Sequence, residues 1–190
     1  MDVGSGSFKR YVNLFSNVTE YKTIDVNPDF KPDIIGKAEK IPVEDSTFDS
    51  IVCTQVLGDL VNPRDAVKEF YRIIRSGGIV LLTEGFMNEI TDEPRNYWRF
   101  TNFILKEIFE SEGFEIAALE QIGGFFTVQA QMWTRYIINT FNLYNHKYFS
   151  KLFSLCFKVM GKIAFFLDKM DTRRPNRKFA LGWIIIAKKK

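Results

Sequence analysis

A doubly wound, mostly parallel α/β sheet within one domain is the fold this sequence predicts, on three observations. The chain opens on a short strand-like stub and a glycine turn, Met1-Asp2-Val3-Gly4-Ser5-Gly6-Ser7. The segment after it carries Phe8, Tyr11, Val12 and Phe15 at helical spacing. A second short apolar run then closes on Asp25, 21 residues after Gly4. Further on, strand-length apolar runs (50–54, 79–83, 115–121) alternate with helical patterns (63–75, 102–112). A chain of 190 residues, 46% of them apolar, is long enough for a single domain with a substantial core.

Each element has a local reason. Gly4 and Gly6 permit backbone angles and a close ligand approach that a Cβ would block. The amide end of a helix over 7–17 favours a negatively charged ligand group. Residues 21–25 form the second strand, and an acid ending it at this distance is where such sheets hydrogen-bond ribose hydroxyls. The turn and Asp25 together imply an adenosine-containing ligand. Asn27-Pro28-Asp29 turns the chain into a short third strand at 33–36. Asp49 leads into the fourth strand, 50–54. Pro63 starts a helix reaching about residue 75, with Ala66, Val67, Phe70 and Ile74 inward. Gly77-Gly78 ends that helix before a buried fifth strand at 79–83. After a loop over 84–100, Thr101 caps a helix over 102–112 that Gly113 closes. Residues 115–121 are the sixth strand and 179–187 the last.

Composition removes several classes. Two cysteines, Cys53 and Cys156, make no disulfide framework, and one histidine, His146, makes a histidine-ligated metal an unlikely centre; no metal is expected. No apolar run reaches transmembrane length and no signal peptide is apparent, so the expected location is cytoplasmic. Nucleic acid is not an expected partner. The net charge of +3 hides an asymmetry: residues 147–190 carry 12 Lys/Arg against Asp168 and Asp171.

A dinucleotide fingerprint needs a third glycine where this chain has Lys9, which disfavours hydride transfer. Asp-x-Gly-x-Gly without it resembles the first motif of class I S-adenosylmethionine-dependent methyltransferases. The following segments match at family spacing. Gly36-Lys37-Ala38-Glu39-Lys40-Ile41-Pro42-Val43 resembles the adenine-side segment, and Ser46-Thr47-Phe48-Asp49-Ser50-Ile51-Val52 the entry to the fourth strand. The run from Arg72 to Leu81 resembles the family's helix–Gly-Gly–strand unit. Together they resemble the type-11 (UbiE-like) subgroup over about residues 2–122 and again at 179–187. The resemblance implies a Rossmann-like sheet with an antiparallel last strand beside the fifth, and S-adenosyl-L-methionine as cofactor. It implies cofactor contacts at Asp2, Gly4, Ser5, Gly6, Asp25, Val26, Ala38, Glu39, Thr54 and Gln55. Val26 packs on the adenine and the backbone at Ala38 meets its edge. The family's Asp before that Ala is Lys37 here, leaving Glu39 as a substitute partner for the adenine amino group.

Methyl transfer from a sulfonium is an in-line displacement, so the enzyme chiefly orients and excludes water. An oxygen acceptor also loses a proton, for which Asp59, Tyr97 and His146 are loop candidates; no motif supports any of them, and no catalytic residue is assigned. A run similar to Tyr97-Trp98-Arg99-Phe100-Thr101 recurs in methyltransferases of polysaccharide or lipid-linked glycan pathways. Tyr97, Trp98 and Arg99 thus read as walls of an acceptor pocket, with Phe100 and Trp98 also available to pin the loop. The acceptor expected is a small-molecule or lipid-linked oxygen. Alternatives are an S-adenosylmethionine-binding protein without activity, and a nucleotide-sugar- or NAD-binding enzyme on the same fold.

Two features depart from the family pattern. Between the last two strands lie two long helical patterns, 125–144 and 148–170, giving a helical insertion over 125–170 within a 1–190 methyltransferase domain. In the second, Lys151, Lys158, Lys162 and Lys169 fall within about 20° of one line on the helix, and apolar residues fill the rest. That pattern suits either an interfacial helix making peripheral contact at the inner face of a membrane or a cap over the active site. The second feature is the truncated first strand. Only Met1–Val3 precede the turn, which predicts a stub wedged between the second and fourth strands of an N-terminally shortened methyltransferase.

Overall fold

The computed structural model describes residues 1–7, 11–145 and 147–190, with the backbone alone for 144 and 147–152. The chain divides into two compact units. One comprises Met1–Glu84, Asp92–Glu120 and Ile184–Lys190; the other comprises Gly85–Thr91 and Gln121–Trp183.

Seven strands are present: β1 (Asp2–Val3), β2 (Thr23–Asp25), β3 (Ile34–Ile35), β4 (Phe48–Thr54), β5 (Ile74–Gly85), β6 (Phe114–Ile122) and β7 (Gly182–Lys189). They form one sheet in the order β3-β2-β1-β4-β5-β7-β6. β1 pairs parallel with both β2 and β4, β2 with β3, and β4 with β5. Beyond β5, Phe86 N donates to Leu181 O at 2.8 Å and Met87 N to Ala180 O at 3.3 Å. Numbers rise on one side as they fall on the other, which is antiparallel pairing. The doubly wound α/β fold and its antiparallel last strand are therefore as the sequence implies.

The stub at the first strand sits where the sequence places it. Asp2 and Val3 match Thr23 and Ile24 on one side and Val52 and Cys53 on the other. Asp2 N donates to Lys22 O and Val52 N to Met1 O, each at 2.8 Å, so the two neighbours keep a central ladder here.

Three expectations need correction. The region read as an amphipathic helix over 7–17 shows only a 3-10 turn at Val12–Phe15, residues 8–10 lying outside the described set. Asn13, Ser16 and Asn17 bond their own backbone readily, and no side chain caps the turn, so a longer helix has little support. The helix α1 spans Pro63–Ile73 and stops there, because β5 already begins at Ile74. Gly77 and Gly78 consequently lie inside a strand instead of ending a helix. Phe48 pairs with Ile74 and Ser50 with Ile79, so β5 carries extra residues between the two pairs, a bulge. At Gly78 a Cβ would fall 2.7 Å from the Asp49 carbonyl oxygen, so the bulge closes on β4 only with glycine. Finally, β5 is not buried on both faces: Val80, Leu82 and Glu84 are buried while Ile79 is exposed.

α1 buries Ala66, Val67 and Phe70 as its spacing predicts, with Ile73 as the last buried helical residue and the expected Ile74 buried as the first residue of β5; α2 (Asn102–Ser111) buries Leu105, Ile108 and Phe109. Thr101 caps α2 through Ile104 N, and Gly113 follows with φ of +99°. The second unit holds α3 (Phe125–Thr140) and α4 (Lys147–Met170). The Asp168 carboxylate accepts from Gly124 N at 2.8 Å, Phe126 N at 3.0 Å and Thr127 N at 2.9 Å, and from the Thr127 hydroxyl. Asn176 Oδ1 accepts from Phe125 N at 2.7 Å. These two side chains satisfy the free amides of α3's first turn and fix which face of α4 turns inward.

Candidate functional site

In this strand order the direction of winding reverses between β1 and β4, and open α/β sheets bind ligands in the crevice at such a reversal. The turn after β1 and the loop after β4 border it. Gly4 and Gly6 adopt φ of +70° and +61°. A Cβ on Gly4 would lie 2.3 Å from Val56 Cγ2, so glycine is needed for the turn to pass the β4 loop. A Cβ on Gly6 would meet nothing within 4 Å, so that side of the turn is open.

Asp25 is placed against this turn. Its Oδ2 accepts from Gly6 N and its Oδ1 from Asn27 N, each at 2.9 Å. Each oxygen keeps a lone pair, so the carboxylate both braces the turn and can accept from hydroxyls. The Ser5 hydroxyl is buried and has no hydrogen-bond partner among the described residues. An orphaned donor inside a glycine cradle is what a polar ligand would satisfy. Val26, beside Asp25, exposes its side chain, as an adenine platform requires. Ala38 is buried in the tight turn closed by Lys40 N on Lys37 O at 3.1 Å, with Glu39 half-buried next to it.

Asp2 stands differently. It is buried, and its Oδ2 accepts from the Tyr21 hydroxyl at 2.6 Å. Burial pushes its carboxyl up, with Tyr21 opposing; burial first, and then the bond to Asp2, hold the Tyr21 phenol above its ordinary range. Asp2 thus sits under the turn as a buried brace. Thr54 Oγ1 lies 3.1 Å from the Tyr11 hydroxyl, and Gln55 takes a φ of +57° with its N donating to Thr83 O at 2.8 Å. The structure therefore gathers Gly4, Ser5, Gly6 and Asp25 directly, and sets Thr54 and Gln55 at the end of the neighbouring strand.

The β4 loop is held from two sides. The Glu84 carboxylate accepts from Val56 N at 3.0 Å, Leu57 N at 2.7 Å and Gly58 N at 3.3 Å. Burial pushes this carboxyl up to about 7, the three amides opposing and the Asp59 charge adding to the rise. From the other side, Tyr97 N and Trp98 N donate to Gly58 O at 2.8 and 3.0 Å. Trp98 Nε1 donates to Leu60 O at 2.9 Å and its ring stacks on the buried Phe100. Both therefore pin the loop, while the Tyr97 ring is exposed. Arg99 Nη2 donates to Asn96 Oδ1 at 2.6 Å, and Asn96 Nδ2 to Asp59 Oδ1 at 2.9 Å. Burial raises the Asp59 carboxyl; Asn96 opposes, Asp92 adds, and Arg99 opposes. His146 lies outside the described residues.

Glu84 was missed from sequence because it falls at the margin of a loop. The period-two run Val80, Leu82, Glu84 is the signal that places it on the buried face. Among the described residues no side-chain cluster could hold a metal.

The comparisons agree with this geometry. A family model described as a methyltransferase domain matches residues 1–82. The seven-stranded sheet has the Rossmann-like methyltransferase fold, and the methyltransferase-domain match implies S-adenosylmethionine as cofactor. An uncharacterized protein of Methanocaldococcus jannaschii is 25% identical over 57% of this chain, and the chain spans 58% of that relative's length. The YcgJ protein from Bacillus subtilis superposes with a TM-score of 0.60 at 14% identity, covering 100% of this chain and 91% of its own. A S-adenosylmethionine-dependent methyltransferase from Aquifex aeolicus gives 0.52 at 17%, covering 63% of this chain and 73% of its own. The [4+2]-cyclase SpnF gives 0.66 at 18%, covering 99% of this chain and 74% of its own.

Proposed function

We propose that this protein transfers a methyl group from S-adenosylmethionine to a glycan- or lipid-linked oxygen, as a cytoplasmic member of the type-11 (UbiE-like) subgroup. Its helices over 125–170 would be an insertion within one methyltransferase domain. The observation that carries the cofactor half is the cradle itself: the open side of Gly6, the orphaned Ser5 hydroxyl and the Asp25 carboxylate converge on one turn. S-adenosylmethionine supplies an activated methyl whose C–S bond breaks as the acceptor's C–O bond forms.

The chain's own residues then have plain tasks. Gly4 and Gly6 let the backbone approach the ligand, Asp25 takes ribose hydroxyls, and Val26 gives the adenine an apolar surface. Asp59 receives the acceptor's proton, since a raised carboxyl pKa brings its basicity nearer to neutrality. The exposed Tyr97 ring beside this loop offers a flat face suited to a sugar ring. Support for the acceptor class comes from the Tyr-Trp-Arg-Phe-Thr run and from the pinning of that run onto Gly58.

Titration calorimetry with S-adenosylmethionine and its demethylated product tests the cofactor site. Asp25→Ala should weaken binding by about 1.5–3 kcal/mol, the range for hydrogen bonds to a charged group. Unchanged affinity would remove Asp25 from the site. A second reading, cofactor binding without methyl transfer, is favoured by the sharing of this fold with a [4+2]-cyclase. Tight binding with no methyl transfer to a panel of lipid-linked glycans would select it.

A further inference from the structure

We propose that the α3–α4 hairpin of the second unit is a docking surface for an anionic lipid bilayer, lying in the interface without crossing it. The inference concerns the second unit alone and does not depend on the methyl acceptor.

The inward face of α4 is settled by contacts, so its outward face is known. Asp168 caps the first turn of α3, Ala164 is buried, and Phe153 and Phe157 pair on the same side. At about 100° per residue, Leu155, Phe166, Val159, Met170 and Ile163 cluster across about 80°, away from Ala164 and Phe157, with Leu155, Val159 and Ile163 bordering the groove against α3. All five are exposed, Leu155 by 62% and Phe166 by 61%. An amphipathic helix of a globular protein hides such a stripe; here it faces outward. Lys158, Lys162 and Lys169 run along one border of it, within about 60° of Leu155. The side chain of Lys151 lies outside the described residues.

The stripe continues onto α3. Between the helices is an open groove of about 650 Å³ whose lining includes Ala130, Trp133, Val159, Met160, Ile163 and Leu167. Gln129 is the one polar side chain in its wall. Trp133 is 59% exposed at its edge, with Tyr136 packed edge-on against it. Aromatic rings with a polar tip, an apolar stripe and flanking lysines are the three components of an interfacial anchor.

Charge decides which occupant fits. Within the second unit ten Lys/Arg stand against three Asp/Glu, a balance of +7, and all three acids are engaged: Glu89 on Arg135, Asp168 on the α3 amides and Asp171 on Arg173. A second copy of this face would bring its lysines against these. An anionic headgroup layer neutralises them while the acyl region takes the apolar stripe. Among the described residues no helix is long and apolar enough to cross a membrane, so the contact is lateral.

The test is co-sedimentation of the full chain with vesicles of phosphatidylcholine alone and of phosphatidylcholine with phosphatidylglycerol. Binding should require phosphatidylglycerol and weaken as salt rises. Lys158→Gln, Lys162→Gln and Lys169→Gln together should lower partitioning about a hundredfold, or roughly fivefold per lysine. Phe166→Asp should abolish it. Brominated lipid should quench the wild type more than Trp133→Phe, a surface change that spares the fold. No sedimentation, equal binding to neutral vesicles, or no effect of these variants would overturn the proposal. So would a lipid-free dimer that Phe166→Asp dissociates, since the face would then be covered by a second copy.

Discussion

Glu84 makes the wild-type protein lose stability as pH rises through a range where most carboxylates are silent. Its folded pKa of about 7 lies above the ordinary 4.5 because burial disfavours the charge more than the amides of Val56, Leu57 and Gly58 favour it. Between the two values the folded state holds a proton that the unfolded chain has released. Stability from this group is therefore full below about pH 4.5 and falls as pH climbs toward 7. A separation of some 2.5 units at 1.36 kcal/mol each makes the loss about 3 kcal/mol. Glu84→Gln removes the titration while keeping one oxygen for Val56 N and Leu57 N. Denaturant unfolding of both proteins at pH 5, 6, 7 and 8 measures the difference directly. The stability of wild type relative to Glu84→Gln should decline by about 2–3 kcal/mol across that series, most of it before pH 7.5. Parallel profiles would show that Glu84 stays ionised throughout and that the three amides outweigh burial.

Further outcomes follow from single contacts. Gly4→Ala should destabilise by about 1–2 kcal/mol from the left-handed backbone alone. The stiff Val56 side chain 2.3 Å away adds to that, and affinity for S-adenosylmethionine should fall in parallel; an unchanged melting midpoint would contradict it. Asp168→Ala should cost about 2 kcal/mol by uncapping α3, read as a lower unfolding midpoint. Burial alone would raise the Asp168 carboxyl, but the Thr127 hydroxyl and the amides hold it below its ordinary 3.8. Its contribution is thus present above about pH 4 and lost as pH falls below it, so wild type and Asp168→Ala should converge in acid.

What the sequence shows plainly is whatever rests on short spacing. Asp25 reads as a strand-end acid because a β-strand must stop at the Asn27-Pro28 turn, and the structure sets its carboxylate on the Gly6 amide. The α1 core face reads from a 3.6-residue period, and Thr101 reads from cap chemistry. The 3-10 turn at Val12–Phe15 was illegible for the opposite reason. Four apolar residues at helical spacing satisfy the pattern, yet no residue of that turn is buried and nothing caps it, so packing never stabilised a helix. Gly77-Gly78 reads as a helix end because paired glycines also close helices; in the bulge Gly77 is needed for its φ of +81° and Gly78 for the approach of the Asp49 carbonyl. The bracing of Asp2 by Tyr21, and of the β4 loop by Glu84, depends on contacts 19 to 28 residues apart in sequence, which no local pattern encodes.

Gly58 ties these long-range contacts together. Its N–H points to Glu84 on β5, and its carbonyl accepts from both Tyr97 and Trp98. A single residue, through the peptides on either side of its Cα, thus joins the carboxylate that titrates near neutrality to the aromatic run that borders the loop. The run has no freedom of its own, since Phe100 is buried and Trp98 is held on the Leu60 carbonyl. Within that frame the Tyr97 ring is exposed and, among the described residues, has no hydrogen bond tying its side chain to the loop such as Trp98 has, and Asp59 is held by Asn96 one residue beyond Gly58. Any change in how Glu84 grips the β4 loop must therefore move Asp59 and Tyr97 together. On the function proposed above, Glu84→Gln should change KM for the acceptor and kcat together in a methyl-transfer assay, whereas Asp25→Ala, which touches the turn after β1, should change only the affinity for S-adenosylmethionine measured by calorimetry.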